Sequence, residues 1–212
     1  MIVLKTHSEL ERMKKACQIS ADALNVAEEL MKPGVTTKEI DRAIHDYIVK
    51  CGAKPSFLGL YGFPASACIS VNDVVIHGIP SGYSLKPGDI VSVDVGATID
   101  GYHGDNAYTF AVGDISEEVA SLLRVTQESL YKGIEAAVVG NRIGDISFAV
   151  QSHVTPYGYG IVRQFVGHGV GRELHEDPEV PNFGRPGRGP RLAEGVTVAI
   201  EPMITLEGRR YH

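Results

Sequence analysis

Cysteine is scarce in this chain. Cys17, Cys51 and Cys68 are its three thiols, widely spaced and without a CxxC pair. An odd, sparse set cannot supply a disulfide scaffold and suits a reducing cytosol. Cys17 and Cys51 fall in or beside helical patterns, where a small buried apolar residue is the ordinary role. Long apolar runs are also missing. Residues 1–15 hold none of signal-peptide length, and nothing later could span a bilayer as a helix, so a soluble cytoplasmic protein with no membrane partner is expected. Positive charge is in short supply as well. A net charge of −6 argues against specific or general nucleic-acid binding, which needs a basic face for phosphates. The one basic cluster, Arg185, Arg188 and Arg191 among Gly and Pro, reads as a solvated loop.

What remains is ordinary globular material: 212 residues, 43% hydrophobic and 22% charged, enough for one substantial core. Ser8 to Glu11 has the form of a capping box, and behind it Leu10, Met13, Cys17, Leu24, Ala27 and Leu30 recur at helical spacing until Pro33-Gly34. A second box at Thr36 to Glu39, with Val35 and Ile40 placed as a staple, opens a helix. Its apolar face is Ile40, Ala43, Ile44, Tyr47 and Ile48, and Gly52 closes it.

The pattern then repeats. Shifted by 106 residues, Gly34, Ile40, Ala43 and Ile44 meet Gly140, Ile146, Ala149 and Val150, and Leu24 meets Leu130. A long helix from about Ser116 to Val139 precedes the second short one. Leu85 to Gly88 leads into Ile90–Asp94, while Leu192 to Gly195 leads into Val196–Glu201; there the offset is 107, and Asp94 lands on Glu201. Two helix–helix–sheet halves related by a pseudo-twofold are expected, with strands of both meeting in one curved antiparallel sheet backed by helices. The class is α+β, because helices and strands come in runs rather than alternating.

Within Ile90–Asp94, Val91, Val93 and Val95 point one way while Ser92 and Asp94 point the other. The chain is expected to return after Gly101 with Asp105, Ala107, Thr109 and Ala111 on one face, so that Asp94 and Asp105 converge. Taken alone, the pair reads first as two surface aspartates near a turn. Two anions so close favour a cation between them. His168 stands between Gly167 and Gly169, which let backbone approach closely. With Asp94, Asp105 and Glu201 it forms an oxygen-and-imidazole set of the kind that holds a metal. Its distance from His175, seven residues with glycines between, excludes the two-ligand helix of HExxH proteases. Glu201 ends an apolar run, where an unpaired carboxylate would be costly. His77, expected to follow an apolar strand over Val74–Ile76 and standing before Gly78, suits either a simple turn or a histidine presented at a cleft rim.

The stretch from Gly167 to Arg172, followed by His175-Glu176, Pro178 and Pro181-Asn182, closely resembles the motif of type I methionine aminopeptidases. Asn72 to Pro80, the Asp94/Asp105 pair and Glu201-Pro202-Met203 fit that family in order and spacing, over essentially the whole chain. The resemblance implies the pita-bread fold and a single catalytic domain over 1–212, with halves of about 1–112 and 113–212. It makes Asp94, Asp105, His168 and Glu201 the ligands of two divalent ions, with Asp105 bridging. Cobalt, manganese, iron or zinc all suit such a set.

By the same resemblance, His77 lies near the scissile nitrogen and His175 near the carbonyl oxygen, while Phe57, Phe63, Cys68 and Leu174 line a methionine pocket. The implied reaction removes the initiator methionine from peptides and nascent chains by a metal-bridging hydroxide. The family implies a monomer, with transient ribosome association as a further partner. An X-Pro peptidase of the same fold, and a non-catalytic peptide-binding relative, are the rivals. The repeat and the family also place a further glutamate on a return strand after Glu201. The sequence ends at His212 before that strand, and Glu207 is too near Glu201 to be its counterpart. An incomplete second half is therefore expected.

Overall fold

The computed structural model describes residues 1–206, so Glu207 lies outside the described residues. The chain falls into two compact units. The first comprises His7–Ser116 and the short segment Gly171–Leu174; the second comprises Met1–Thr6, Glu117–Val170 and the chain from His175 onward.

In the first unit, α1 (His7–Glu29) and α2 (Thr37–Lys50) come before β1 (Lys54–Pro55), β2 (Ala67–Val71), β3 (Ile90–Ile99) and β4 (Tyr102–Ala111). All ladders are antiparallel: β3 pairs with β1, β2 and β4. The α2 box forms as expected. Thr36 Oγ1 accepts from the Glu39 N–H at 3.2 Å, and Glu39 Oε2 accepts from the Thr36 N–H at 2.7 Å. Ile40, Ile44 and Ile48 are fully buried in one core with Val91, Val93 and Val95. Complete burial of side chains this size contributes about 1.5–3 kcal/mol each.

The start of α1 differs from the expectation. The helix begins at His7, so Ser8 stands in its first turn rather than ahead of it. Its buried face is Met13, Ala16, Ile19, Ser20, Ala23 and Ala27. Met13 and Ala27 lie on it as expected, and Leu24 and Leu30 pack against the same core, while Ala16 and Ala23 are fully buried and carry no periodic signal of their own. Opposite Ala16, Gly104 has no side chain because a Cβ there would lie 2.3 Å from the Cys17 nitrogen and 2.4 Å from the Ala16 carbonyl carbon. Gly104→Ala is accordingly expected to cost about 3 kcal/mol through overpacking, read as a lower urea midpoint. An unchanged midpoint would mean that α1 tolerates displacement from the hairpin.

The second unit carries α3 (Glu117–Ala136), α4 (Ile143–Val154), β5 (Gly160–Ile161), β6 (Gly167–Gly169), β7 (Glu176–Val180), β8 (Val198–Ala199) and β9 (Ile204–Thr205). β6 pairs with β7 and β8, and β5 pairs with β9. The strand expected over Val196–Glu201 is thus regular only at Val198–Ala199.

Several backbone bonds of the first unit have counterparts in the second. The isolated bridge Thr36–Ser84 recurs as Arg142–Arg191, and the Gly34 N–H to Leu85 carbonyl bond as Gly140 to Leu192. The Arg142 N–H donates to Asp145 at 2.7 Å as Thr36 does to Glu39. Ile146 and Val150 are fully buried like Ile40 and Ile44.

Candidate active site

In the first unit the β3–β4 register opposes Asp94 to Ala107 and Gly96 to Asp105. Directly paired residues share a face, so Asp94 and Asp105 are diagonal neighbours on one side of the hairpin, their Cβ atoms roughly 7 Å apart. That side is the polar one. Ser92 Oγ lies 2.8 Å from Thr109 Oγ1, and Thr98 Oγ1 lies 2.8 Å from His103 Nδ1. Valines 91, 93 and 95 occupy the other face and are buried.

Cys68 on β2 is the register partner of Asp94. It is buried with Phe57 and Leu174 in an apolar cluster that Leu60 and Phe63 flank. The structure therefore brings Phe57, Phe63, Cys68 and Leu174 together beside Asp94; Leu60 is the member that sequence reading did not single out. Burial, reinforced by the negative charges of Asp94, Asp105 and Asp41, pushes the Cys68 thiol up to about 12. It stays neutral and lines the cluster as a soft apolar surface.

His77 is exposed, with φ at +56°. No strand leads into it: β2 ends at Val71 and the chain from Asn72 to Pro80 is irregular. The apolar residues Val74, Val75 and Ile76 gave a strand-like impression without a ladder to join. Two anchors hold this loop. The Gly78 N–H donates to Ser70 Oγ at 3.0 Å, and its carbonyl accepts from the Ile69 N–H at 2.8 Å. At the loop's base, buried Asp89 accepts from Asn72 Nδ2, Tyr83 Oη and the Lys86 N–H, each at 2.9 Å. Burial alone would raise the Asp89 carboxyl, but these donors hold it below the ordinary carboxylate range.

In the second unit His168 is fixed by its flanking glycines. A Cβ on Gly167 would lie 2.2 Å from the Ala199 carbonyl oxygen, and one on Gly169 would lie 2.2 Å from that of Asp177. Only glycine lets β6 run so close to both neighbours. His168 Nδ1 is 2.8 Å from the Gly169 carbonyl oxygen. A carbonyl can only accept, so Nδ1 carries a proton and Nε2 is the nitrogen turned toward Glu201. That nitrogen lies 3.1 Å from Glu201 Oε1.

Glu201 Oε1 is buried and, among the described residues, finds no donor with hydrogen-bond geometry. A buried carboxylate oxygen beside an imidazole nitrogen calls for a cation, a proton or a metal ion, between them, and an Nδ1–H bonded to a carbonyl is the usual bracing of a metal-binding histidine. The donors present fit a divalent ion. The His175 ring meets the His168 ring edge-on at 4.4 Å between centroids, although His175 itself is exposed. Asn182, 1% exposed, steadies the same stretch by donating to the Glu201 carbonyl at 2.6 Å. Its only trace in the sequence was membership of the Pro181-Asn182 motif.

A sheet-and-helix fold whose polar faces carry carboxylates and a braced imidazole describes a metal-dependent hydrolase. The sequence pattern of metallopeptidase family M24 matches residues 11–211, and the chain belongs to that family. It is 56% identical over 210 residues to the methionine aminopeptidase of Clostridium perfringens, covering 99% of this chain and 84% of that one. A crystal structure of methionine aminopeptidase from Rickettsia prowazekii superposes with a TM-score of 0.96 at 39% identity, covering 100% of this chain and 85% of that one. The prolidase from Pyrococcus furiosus is more distant, with a TM-score of 0.84 at 28% identity, covering 97% and 59%. The fold is the pita-bread fold, and among the described residues no helix is long and apolar enough to cross a membrane.

Proposed function

We propose that this chain is a metal-dependent methionyl aminopeptidase that removes methionine from the N-termini of peptides and nascent chains. The observation that carries the reading is 56% identity to a methionine aminopeptidase over 99% of the chain. Asp94, Asp105, His168 and Glu201 are the residues that would hold two divalent ions. Carboxylates and imidazole without thiolate suit manganese, iron, cobalt or zinc. When bound, such ions would lower the pKa of water toward neutrality and polarise a carbonyl.

The chain's own side chains supply the rest. Phe57, Phe63, Cys68 and Leu174 offer an unbranched thioether an apolar lining with a neutral, polarisable sulfur. His175, exposed beside the His168 ring, donates a hydrogen bond to the scissile carbonyl oxygen as negative charge builds there. His77, on its anchored loop, holds the leaving nitrogen by hydrogen bond. The enzyme works as a cytoplasmic monomer that meets nascent chains in transient association with the ribosome. Its sparse thiols, without a CxxC pair, suit a reducing cytosol.

Peptide cleavage tests the reading. Metal-loaded enzyme is expected to release methionine from Met-Ala-Ser and to leave X-Pro peptides intact, as followed by chromatography. Hydrolysis of X-Pro peptides in preference would make the chain a prolidase-like enzyme instead.

A further inference from the structure

The N-terminal arm, Met1–Thr6, precedes the first unit in sequence but packs within the second. There Lys5 is buried. Its Nζ donates to Glu176 Oε2 at 2.5 Å and to the Val3 carbonyl at 3.2 Å, and the two charged side chains are only 3% and 11% exposed. The arm's backbone is held as tightly. The Lys5 N–H donates to the Gly195 carbonyl at 2.8 Å, and a Cβ on Gly195 would lie 2.5 Å from the Lys5 carbonyl oxygen.

Glu176 is the first residue of β7, directly follows His175, and opposes Gly169 in the ladder with β6. Its side chain is thus fixed from the arm while its backbone is fixed from β6, one residue after the exposed His175 and one pairing step from His168. Burying a lysine and a glutamate is a poor way to gain stability, since desolvation consumes most of the attraction. Where the geometry is good, such a pair specifies position instead. Nothing in the reaction proposed above uses either charge.

We propose that Lys5 is a positioning residue. Through its buried ion pair with Glu176, the N-terminal arm fixes the start of β7 and thereby sets where the His175 imidazole stands beside His168. The inference rests on the functional reading given above. A misplacement of about 1 Å at a reacting group can cost roughly 100-fold in rate, so the arm acts on turnover rather than on substrate affinity.

The test uses the full metal-loaded chain with Lys5→Met, Lys5→Arg and the charge-free pair Lys5→Met/Glu176→Gln. Steady-state cleavage of Met-Ala-Ser is read per folded molecule, with manganese affinity by calorimetry. Histidine-ring NMR of the metal-free protein is assigned with a His175 variant. Lys5→Met is expected to lower kcat about 10- to 100-fold with KM and manganese affinity within about threefold, and to shift or broaden the His175 ring resonances. Lys5→Arg is expected to restore most of the rate.

If Lys5→Met does not fold, the charge-free pair carries the same expectation, because no lone charge is left buried. Wild-type kcat and an unmoved His175 resonance in either folded variant would overturn the inference, the pair then being only structural. Failure of the wild-type chain to cleave Met-Ala-Ser would instead overturn the functional reading, and the NMR comparison would still decide whether the arm positions His175.

Discussion

His175→Ala is expected to reduce kcat by roughly 100- to 1000-fold, with manganese affinity changed by no more than a few-fold. The reason is geometric. His175 meets the ring of His168 edge-on, and the nitrogen 3.1 Å from Glu201 belongs to His168. Removing a donor that meets charge only in the transition state costs about 2.7–4 kcal/mol of barrier and little ground-state binding. Parallel titrations of rate and metal occupancy decide the matter. A fall in occupancy that tracks the fall in rate would make His175 a ligand.

Glu201→Gln should have the larger consequence for metal and the opposite sign for the metal-free protein. His168 Nε2 faces a buried carboxylate oxygen that lacks a donor of good geometry among the described residues. A glutamine can turn its amide toward that nitrogen and satisfy both. Without metal, the variant is therefore expected to unfold at the wild-type temperature or above. Wild-type protein should gain about 4 kcal/mol from a metal at a thousand times its Kd, and the variant should lose most of that gain. Activity should drop at least 100-fold, a loss that even outer-shell partners of metal ligands produce. Thermal unfolding with and without manganese tests it. A variant that keeps the full metal-induced shift would remove Glu201 from the ligand set.

Much of this was legible because the informative residues are of types that chemistry singles out. Asp94 and Asp105 could be placed on one face because strand periodicity is exact and Gly101 marks the turn. The glycines around His168 announced a backbone squeezed by its neighbours, which is what β7 and β8 do. The repeat was weak in side chains yet strong in backbone bonds, since a bridge such as Thr36–Ser84 constrains no particular residue type.

Other features left little trace. Alanines give almost no periodic signal, so Ala16 and Ala23 on the buried face of α1 could not be read from the sequence, although Met13 and Ala27 could. Val74 to Ile76 are apolar for reasons other than a ladder. The Lys5–Glu176 pair spans 171 positions, and no local pattern announces such a partner.

Gly171–Leu174 has a further consequence. Those four residues are counted with the first unit: the Gly171 carbonyl accepts from the His103 N–H at 2.8 Å, and Leu174 completes the cluster around Cys68. The stretch on either side of them belongs to the other unit. Neither lobe can therefore be cut out as an uninterrupted polypeptide with its hydrophobic lining whole, and recombination at the midpoint of the gene would strand one wall of that lining on the wrong fragment.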